Sequence, residues 1–281
     1  MTGTRNDRRR ARPGERKASM AFRSRAAAAC FVVSLLAAGR ADAVALRATA
    51  GFSRIAYGDY NAFADGINAI IAADPTFTGE LGNMHWLPEI GVEASVPLVP
   101  ALSLGAGAGL IWGSSSFEFS AEGETLTFEH TVKAYPLTVA LRAEIPAPFV
   151  FARPYVFAGG GAYYVKLTFE ERLGGASELF GYDAELSSWG FGMHGGVGFS
   201  FTVAPTVSVD LGFMGRYAKI TGFEGTATSV DGETADIALV YYEDDGNMVY
   251  GPESVEAAAG LGEGAVDLSG YGISLGVHVS F

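Results

Sequence analysis

Tyr271-Gly-Ile-Ser-Leu-Gly-Val-His-Val-Ser-Phe281 ends the sequence on two interleaved sets of residues. Tyr271, Ile273, Leu275, Val277, Val279 and Phe281 occupy every second position, and Gly270, Gly272, Ser274, Gly276, His278 and Ser280 fill the places before and between them. A strand turns successive side chains to opposite faces, so this segment has one wholly apolar face and one of small or polar residues.

The same period recurs upstream. Leu46, Ala48, Ala50 and Phe52 alternate with Arg47, Thr49, Gly51 and Ser53, and Trp86, Ile90, Val92, Ala94 and Val96 oppose Glu89, Gly91, Glu93 and Ser95. Further alternating segments cover residues 102–112, 135–145, 189–201 and 207–216. Residues 153–167 are less regular: Tyr155, Phe157, Tyr163 and Val165 share a face, and Gly159-Gly160-Gly161 blurs the parity. With the closing segment this makes eight strands, all of period two. Short connections at 97–101, 146–150 and 204–206 alternate with long ones at 58–85, around 121–124, at 170–188 and at 221–265. An apolar outward face, with short turns on one side and long loops on the other, predicts an all-β fold. It is an eight-stranded antiparallel transmembrane β-barrel with short periplasmic turns and long external loops.

Polarity assigns the two faces. Arg47, Glu89, Glu93, Arg142, Glu144, Asp210 and Arg216 all fall on the small-residue face. An Arg or Lys on the lipid side near the bilayer midplane costs about 2–4 kcal/mol, so these charges are expected to point inward. An eight-stranded barrel leaves an interior that side chains can fill, and glycines make room there for three arginines facing four carboxylates. The expected lumen is closed by ion pairs; a narrow polar channel lined by the same residues is the alternative.

The first 43 residues differ. They hold ten of the nineteen basic residues, an apolar run over 26–38, and then Ala41-Asp42-Ala43. A basic region, a short apolar core and an A-x-A site predict a secretory signal peptide cleaved after Ala43, with Met20 as a more ordinary start than Met1. The apolar run is too short for a spanning helix, which needs about 20 residues. Cys30 leaves with it, so residues 44–281, the barrel domain, contain no cysteine and no disulfide. They carry nine basic and 28 acidic residues, a net charge of −19, which argues against a nucleic-acid partner.

The motifs Arg153-Pro154-Tyr155 leading to Gly159-Gly-Gly-Ala-Tyr-Tyr164, then Ser188-Trp189-Gly190-Phe191 and Val207-Ser-Val-Asp210-Leu-Gly212, resemble the later strands of small OmpW/OmpA-like outer-membrane barrels. So does Asp267-Leu268-Ser269-Gly270 leading to the terminal Phe281. The resemblance implies residence in the bacterial outer membrane among lipid and lipopolysaccharide. It also implies that the barrel-assembly machinery reads the closing strand as a signal, with Tyr271, Ile273, Leu275, Val277, Val279 and Phe281 as its apolar face. Two functional expectations follow. One is a structural or surface-interacting barrel with a plugged lumen; the other is an OmpW-like passive conduit for small, hydrophobic solutes.

No catalytic role is expected. His278-Val279-Ser280 is similar to the His-x-Ser pair of lipid A deacylases, but it faces inward at the periplasmic rim and lacks an acidic orienting partner. His194 is read as lumen filling or a carboxylate partner, and no two histidines have metal-ligand spacing, so no cofactor is expected. Three other segments stand out. Tyr60, Phe63, Ile67, Ile70 and Ile71 recur at helical spacing between Asp59 and Asp74-Pro75, which predicts a short amphipathic helix over the barrel mouth, at the membrane surface or against neighbouring loops. Residues 221–269 carry eleven acidic residues and no Lys or Arg, with a hairpin expected over 236–250. Their carboxylates either stay solvated or hold Ca²⁺ or Mg²⁺. Trp86, Trp112 and Trp189 mark an aromatic girdle at the outer interface.

Overall fold

The computed structural model describes residues 44–281 apart from 74–77, 122–123, 147–150, 175–178, 243–247 and 253–260. The expected signal segment and its cleavage point after Ala43 lie outside the described residues. Eight strands form the ring: β1 (Ala45–Ile55), β2 (Trp86–Val99), β3 (Leu102–Ala121), β4 (Glu124–Glu144), β5 (Ala152–Gly174), β6 (Leu179–Ala204), β7 (Val207–Tyr217) and β14 (Gly270–Ser280). Each pairs antiparallel with its neighbour, and β1–β14, β14–β7 and β7–β6 complete the circle. Closure leaves no backbone edge facing hydrocarbon, where an unpaired N–H or C=O costs several kcal/mol. Eleven residues in β1 and β14, tilted at about 40°, rise roughly 28 Å, enough to cross a typical outer-membrane apolar band. No helix among the described residues is long and apolar enough to cross; the strands do so.

The exterior is apolar. Phe52, Ile90, Phe191, Val197, Phe213 and Leu275 are all exposed, and Phe191 is 85% accessible. Tight turns join β2 to β3 and β6 to β7 at one end. At the other end the strands continue. β5 has 23 residues and β6 has 26, so much of the expected loop at 170–188 is paired sheet, and β3 and β4 stay paired out to Ala121 and Glu124, where the tip was expected.

The reason is an inversion of the alternation. Along the membrane part of β4, Tyr135, Leu137 and Leu141 point outward and Thr138, Ala140 and Arg142 inward. Higher on the same strand the parity is unchanged, yet Thr127, Glu129, Thr131 and Lys133 face out while His130, Val132 and Ala134 are buried inside. Outside the sheet, hydrocarbon has given way to headgroups and then water, and the sequence has swapped polarity to match. On β5, Val165, Leu167 and Phe169 are buried inside and Lys166, Thr168 and Glu170 stand outside. The four residues expected to share a face on β5 do share one, and it is the inward face. Tyr155 and Tyr163 are about 1% exposed, Val165 is fully buried, and with Phe157 they lie on the inward parity, not in the lipid belt.

The external strands enclose an apolar core of their own. Above its barrel-closing segment, β6 leaves β7 and pairs instead with β9 (Glu224–Ser229). β10 (Thr234–Tyr242) follows, pairing with β11 (Met248–Pro252) and β12 (Leu261–Glu263). The predicted hairpin is therefore present, with its tip outside the described residues. β8 (Lys219–Ile220) pairs with β13 (Val266–Asp267). Helix α1 (Gly58–Ala73) begins one residue before the expected Asp59 cap and buries Tyr60, Ala64 and Ile71. Its Asn61 and Asn68, seven residues apart, hold the returning chain: Asn61 accepts from the Met84 N–H at 2.9 Å and Asn68 from the Leu81 N–H at 2.7 Å.

Leu186 on β6 is fully buried in this external core. Leu186→Ala is expected to cost about 3 kcal/mol. The external half should become protease-sensitive while the barrel keeps its heat-modifiable migration on gels. Limited proteolysis of the folded protein measures this.

Candidate functional site

The lumen is crossed near its periplasmic end by a cluster from four strands. Asp210 on β7 is 1% exposed. It accepts from Arg142 Nη1 at 2.7 Å and faces Arg47 Nε at 3.4 Å. The Arg142 guanidinium lies 3.7 Å from the centre of the Tyr155 ring, a cation–π contact inside the barrel. Space for that ring comes from Gly198 on the facing strand, where a Cβ would collide with the Tyr155 ring. Sequence reasoning misses Tyr155 as a lumen residue, since its neighbours Gly159 to Gly161 hide the parity; the single signal is its odd-numbered register with Tyr163.

A second cluster crosses nearer the outside. Arg216 donates to Glu89 at 3.2 Å and to Ser53 Oγ at 2.9 Å, and Ser53 donates to Glu89 at 2.8 Å. Arg216 Nε also donates to the Leu268 carbonyl at 3.2 Å, tying this layer to the external core. Between the two layers lies a cavity of about 130 Å³, lined by Thr49, Thr138, His194, Ser274 and the facing arginines and glutamates.

The seven charged residues expected in the lumen therefore divide. Arg47, Arg142 and Asp210 form one cluster, Glu89 and Arg216 the other. Glu93 stands opposite Arg47 in the β1–β2 register. Glu144 does not join them: at the periplasmic end of β4 it pairs with the exposed Arg153 at 3.5 Å. His194 Nδ1 is buried without a hydrogen-bond partner, so it lines the cavity and holds no carboxylate through that atom. His278 Nδ1 lies 3.3 Å from Ser208 Oγ across the β7–β14 pair, and Ser280 donates its N–H to Thr206.

Above the second cluster the apolar core begins, and its centre is a stack of rings. His130 is completely buried, with its ring 4.3 Å from Phe169 and 4.6 Å from Tyr60. Its Nε2 is 3.1 Å from the Tyr57 hydroxyl, and its Nδ1 has no partner. Tyr57 itself sits in the left-handed region at φ 39°, which costs a bulky residue about 1–2 kcal/mol. The buried ring and its histidine contact hold it there. This assembly lies outside the membrane-spanning segments. Burial raises both tyrosines and lowers His130 to about 3, so all three are neutral at pH 7.

The closing strand faces Tyr271, Ile273, Leu275 and Val277 to lipid. Phe281 follows the strand, 70% exposed, with its N–H donating to the Val44 carbonyl at 3.0 Å. Tyr135, Tyr164 and Trp189 stand side by side at the outer rim, with ring centres 6.0 and 5.1 Å apart. Trp86 meets Tyr271 edge-on on the other side.

A closed eight-stranded ring with an apolar outer face and an aromatic rim defines a bacterial outer-membrane β-barrel. No protein-family model matches the chain, and no curated protein matches it in sequence. Among solved structures it is similar to the outer membrane protein OprG from Pseudomonas aeruginosa, with 12% identity, coverage of 85% of this chain and 96% of that one, and a TM-score of 0.41. A major outer membrane protein from Thermus thermophilus shares 12% identity over 85% of this chain and 99% of its own, with a TM-score of 0.44. Ail, the attachment invasion locus protein of Yersinia pestis, shares 10% over 84% and 98%, with a TM-score of 0.33.

Two consequences are measurable. Asp210→Asn leaves Arg47 and Arg142 facing each other without an anion, and breaking a buried pair in this way costs about 3–5 kcal/mol. The urea midpoint of the barrel in lipid vesicles should fall accordingly. His130 binds a proton near pH 6.5 when unfolded and near pH 3 when folded, so unfolding takes up a proton between those values. Stability of the external half should therefore decline as pH drops through that window, by at most about 1.4 kcal/mol per pH unit. His130→Phe should flatten the decline, as read by hydrogen exchange against pH.

Proposed function

We propose that the protein is a sealed outer-membrane barrel whose folded external half, not its lumen, is the working surface: a structural or surface-interacting role. The observation that carries this reading is the succession of closures along the axis. Arg47–Asp210–Arg142 lies at the periplasmic end, Glu89–Arg216–Ser53 lies above it, and the apolar core of α1 and the extended strands covers both. The intervening cavity is small, and residues of both ion-pair layers line it. A solute passing through would have to separate both buried ion-pair layers and then an apolar core. The external half presents a continuous water-facing sheet from β3 to β11, an area a conduit would not need. The OmpW-like conduit rests on the cavity alone and is the weaker reading. Planar-bilayer recording of the purified protein is expected to give no steady unitary conductance. Reproducible channels that persist in the wild type and enlarge on Asp210→Ala would establish the conduit instead.

A further inference from the structure

The outward face of the strands just above the aromatic rim carries a charge arrangement that neither closure nor core packing requires. Tyr135, Tyr164 and Trp189 form one cross-strand row in the β4–β5–β6 register. Two residues farther out, Trp112, Lys133, Lys166 and Ser187 form the next row, again directly opposite one another. Lys133 and Lys166 are thus immediate cross-strand neighbours, with Cβ atoms about 5 Å apart, an arrangement of like charges that opposes folding. It uses two of only nine cationic residues in a segment of net charge −19. Glu185 answers Lys166 at 2.7 Å; among the described residues no ion pair answers Lys133. The row beyond adds hydroxyls, Ser114, Thr131 and Thr168, on the same outward face.

Height identifies the counter-ion. Two residues of strand carry the lysines roughly 7 Å along the strand past the rings that mark the hydrocarbon edge. The polar layer of a bilayer is about 5–7 Å deep on each side, so the ammonium groups lie among lipid headgroups and not in bulk water. An anion held there by two flexible point charges and neighbouring hydroxyls fits a phosphate.

We propose that Lys133 and Lys166, beside Trp112, form a binding site for the phosphate of a phosphorylated glycolipid in the outer leaflet, the headgroup chemistry of lipid A. The two ammonium groups share the phosphate oxygens, which removes their mutual repulsion, while Trp112 flanks Lys133 in the same outward row. The site depends on the barrel's seat in the membrane and is independent of whether the lumen is sealed.

Native mass spectrometry of the full barrel in neutral detergent, titrated with bis-phosphorylated lipid A, tests it. Lys133→Ala/Lys166→Ala should weaken binding about tenfold or more, each lysine near a charged surface contributing about a factor of five. Lys133→Arg/Lys166→Arg should retain binding, and Lys219→Ala, on the external β8–β13 ribbon, should not change it. Chemically dephosphorylated lipid A should bind the wild type no better than intact lipid A binds the double alanine variant. Heat-modifiable migration confirms that each variant is folded. Equal binding by the double alanine variant, or by dephosphorylated lipid A, overturns the proposal. So does saturation of the site by millimolar inorganic phosphate alone, which would make the ligand a free anion.

Discussion

Everything in this chain depends on a pairing register that cannot be interrupted while lipid lies on one side. In hydrocarbon each backbone N–H and C=O needs a partner, so the eight strands must run matched from one interface to the other and the first must meet the last. The register then continues unbroken into water along β3 to β6, where the same side-chain parity faces a different solvent on each side. The polarity of the alternation reverses and the geometry does not. A single set of long strands thereby builds two objects of opposite hydrophobic sense: a barrel that is apolar outside and an external shell that is apolar within.

Strand β6 shows how the two are joined. Its periplasmic half closes the ring on β7, and its external half departs to β9, so the ring opens above the membrane into a curved sheet. The gap left over the lumen is filled by α1, the β8–β13 ribbon and the side chains of Leu81, Met84, Ile220, Phe223 and Leu268. The contacts there are close. A Cβ on Gly190 would run into Ile220, so the bare backbone of β6 is what lets the ribbon descend onto the barrel mouth.

Most of the ring was legible in the sequence because lipid leaves a simple trace: apolar residues at every second position, interrupted by Gly, Ser and charge. Arg47, Arg142 and Asp210, and Glu89 with Arg216, were separable from lipid by cost alone. The external half was not legible in the same way. Leu126, Phe128, Val132 and their partners also alternate, but with a parity opposite to Tyr135 and Leu137. A reader fixed on the outward apolar face sees there a loop where the strand goes on. The signal was present as a phase change at the girdle. Tyr155 and Tyr163 failed for the converse reason, as aromatic residues on the inward parity of a membrane strand whose outward positions are Val156, Ala158, Gly160 and Ala162. Ring size suggested lipid, whereas the space for Tyr155 came from Gly198, on another strand.

The two halves are also coupled through one side chain. Arg216 reaches Glu89 and Ser53 inside the barrel and the carbonyl of Leu268 in the external core, so its guanidinium belongs to both. Displacing the ribbon from the mouth would remove an acceptor from Arg216 and loosen the anion on which it closes the lumen. Conversely, neutralising Glu89 would leave a buried cation with only neutral acceptors, the Ser53 hydroxyl and the Leu268 carbonyl. An arginine so placed makes the seal and the stopper a single energetic unit, since a buried charge tolerates the loss of one partner poorly. The external core is therefore held down by more than its apolar contacts, and the lumen is held shut by more than its ion pairs.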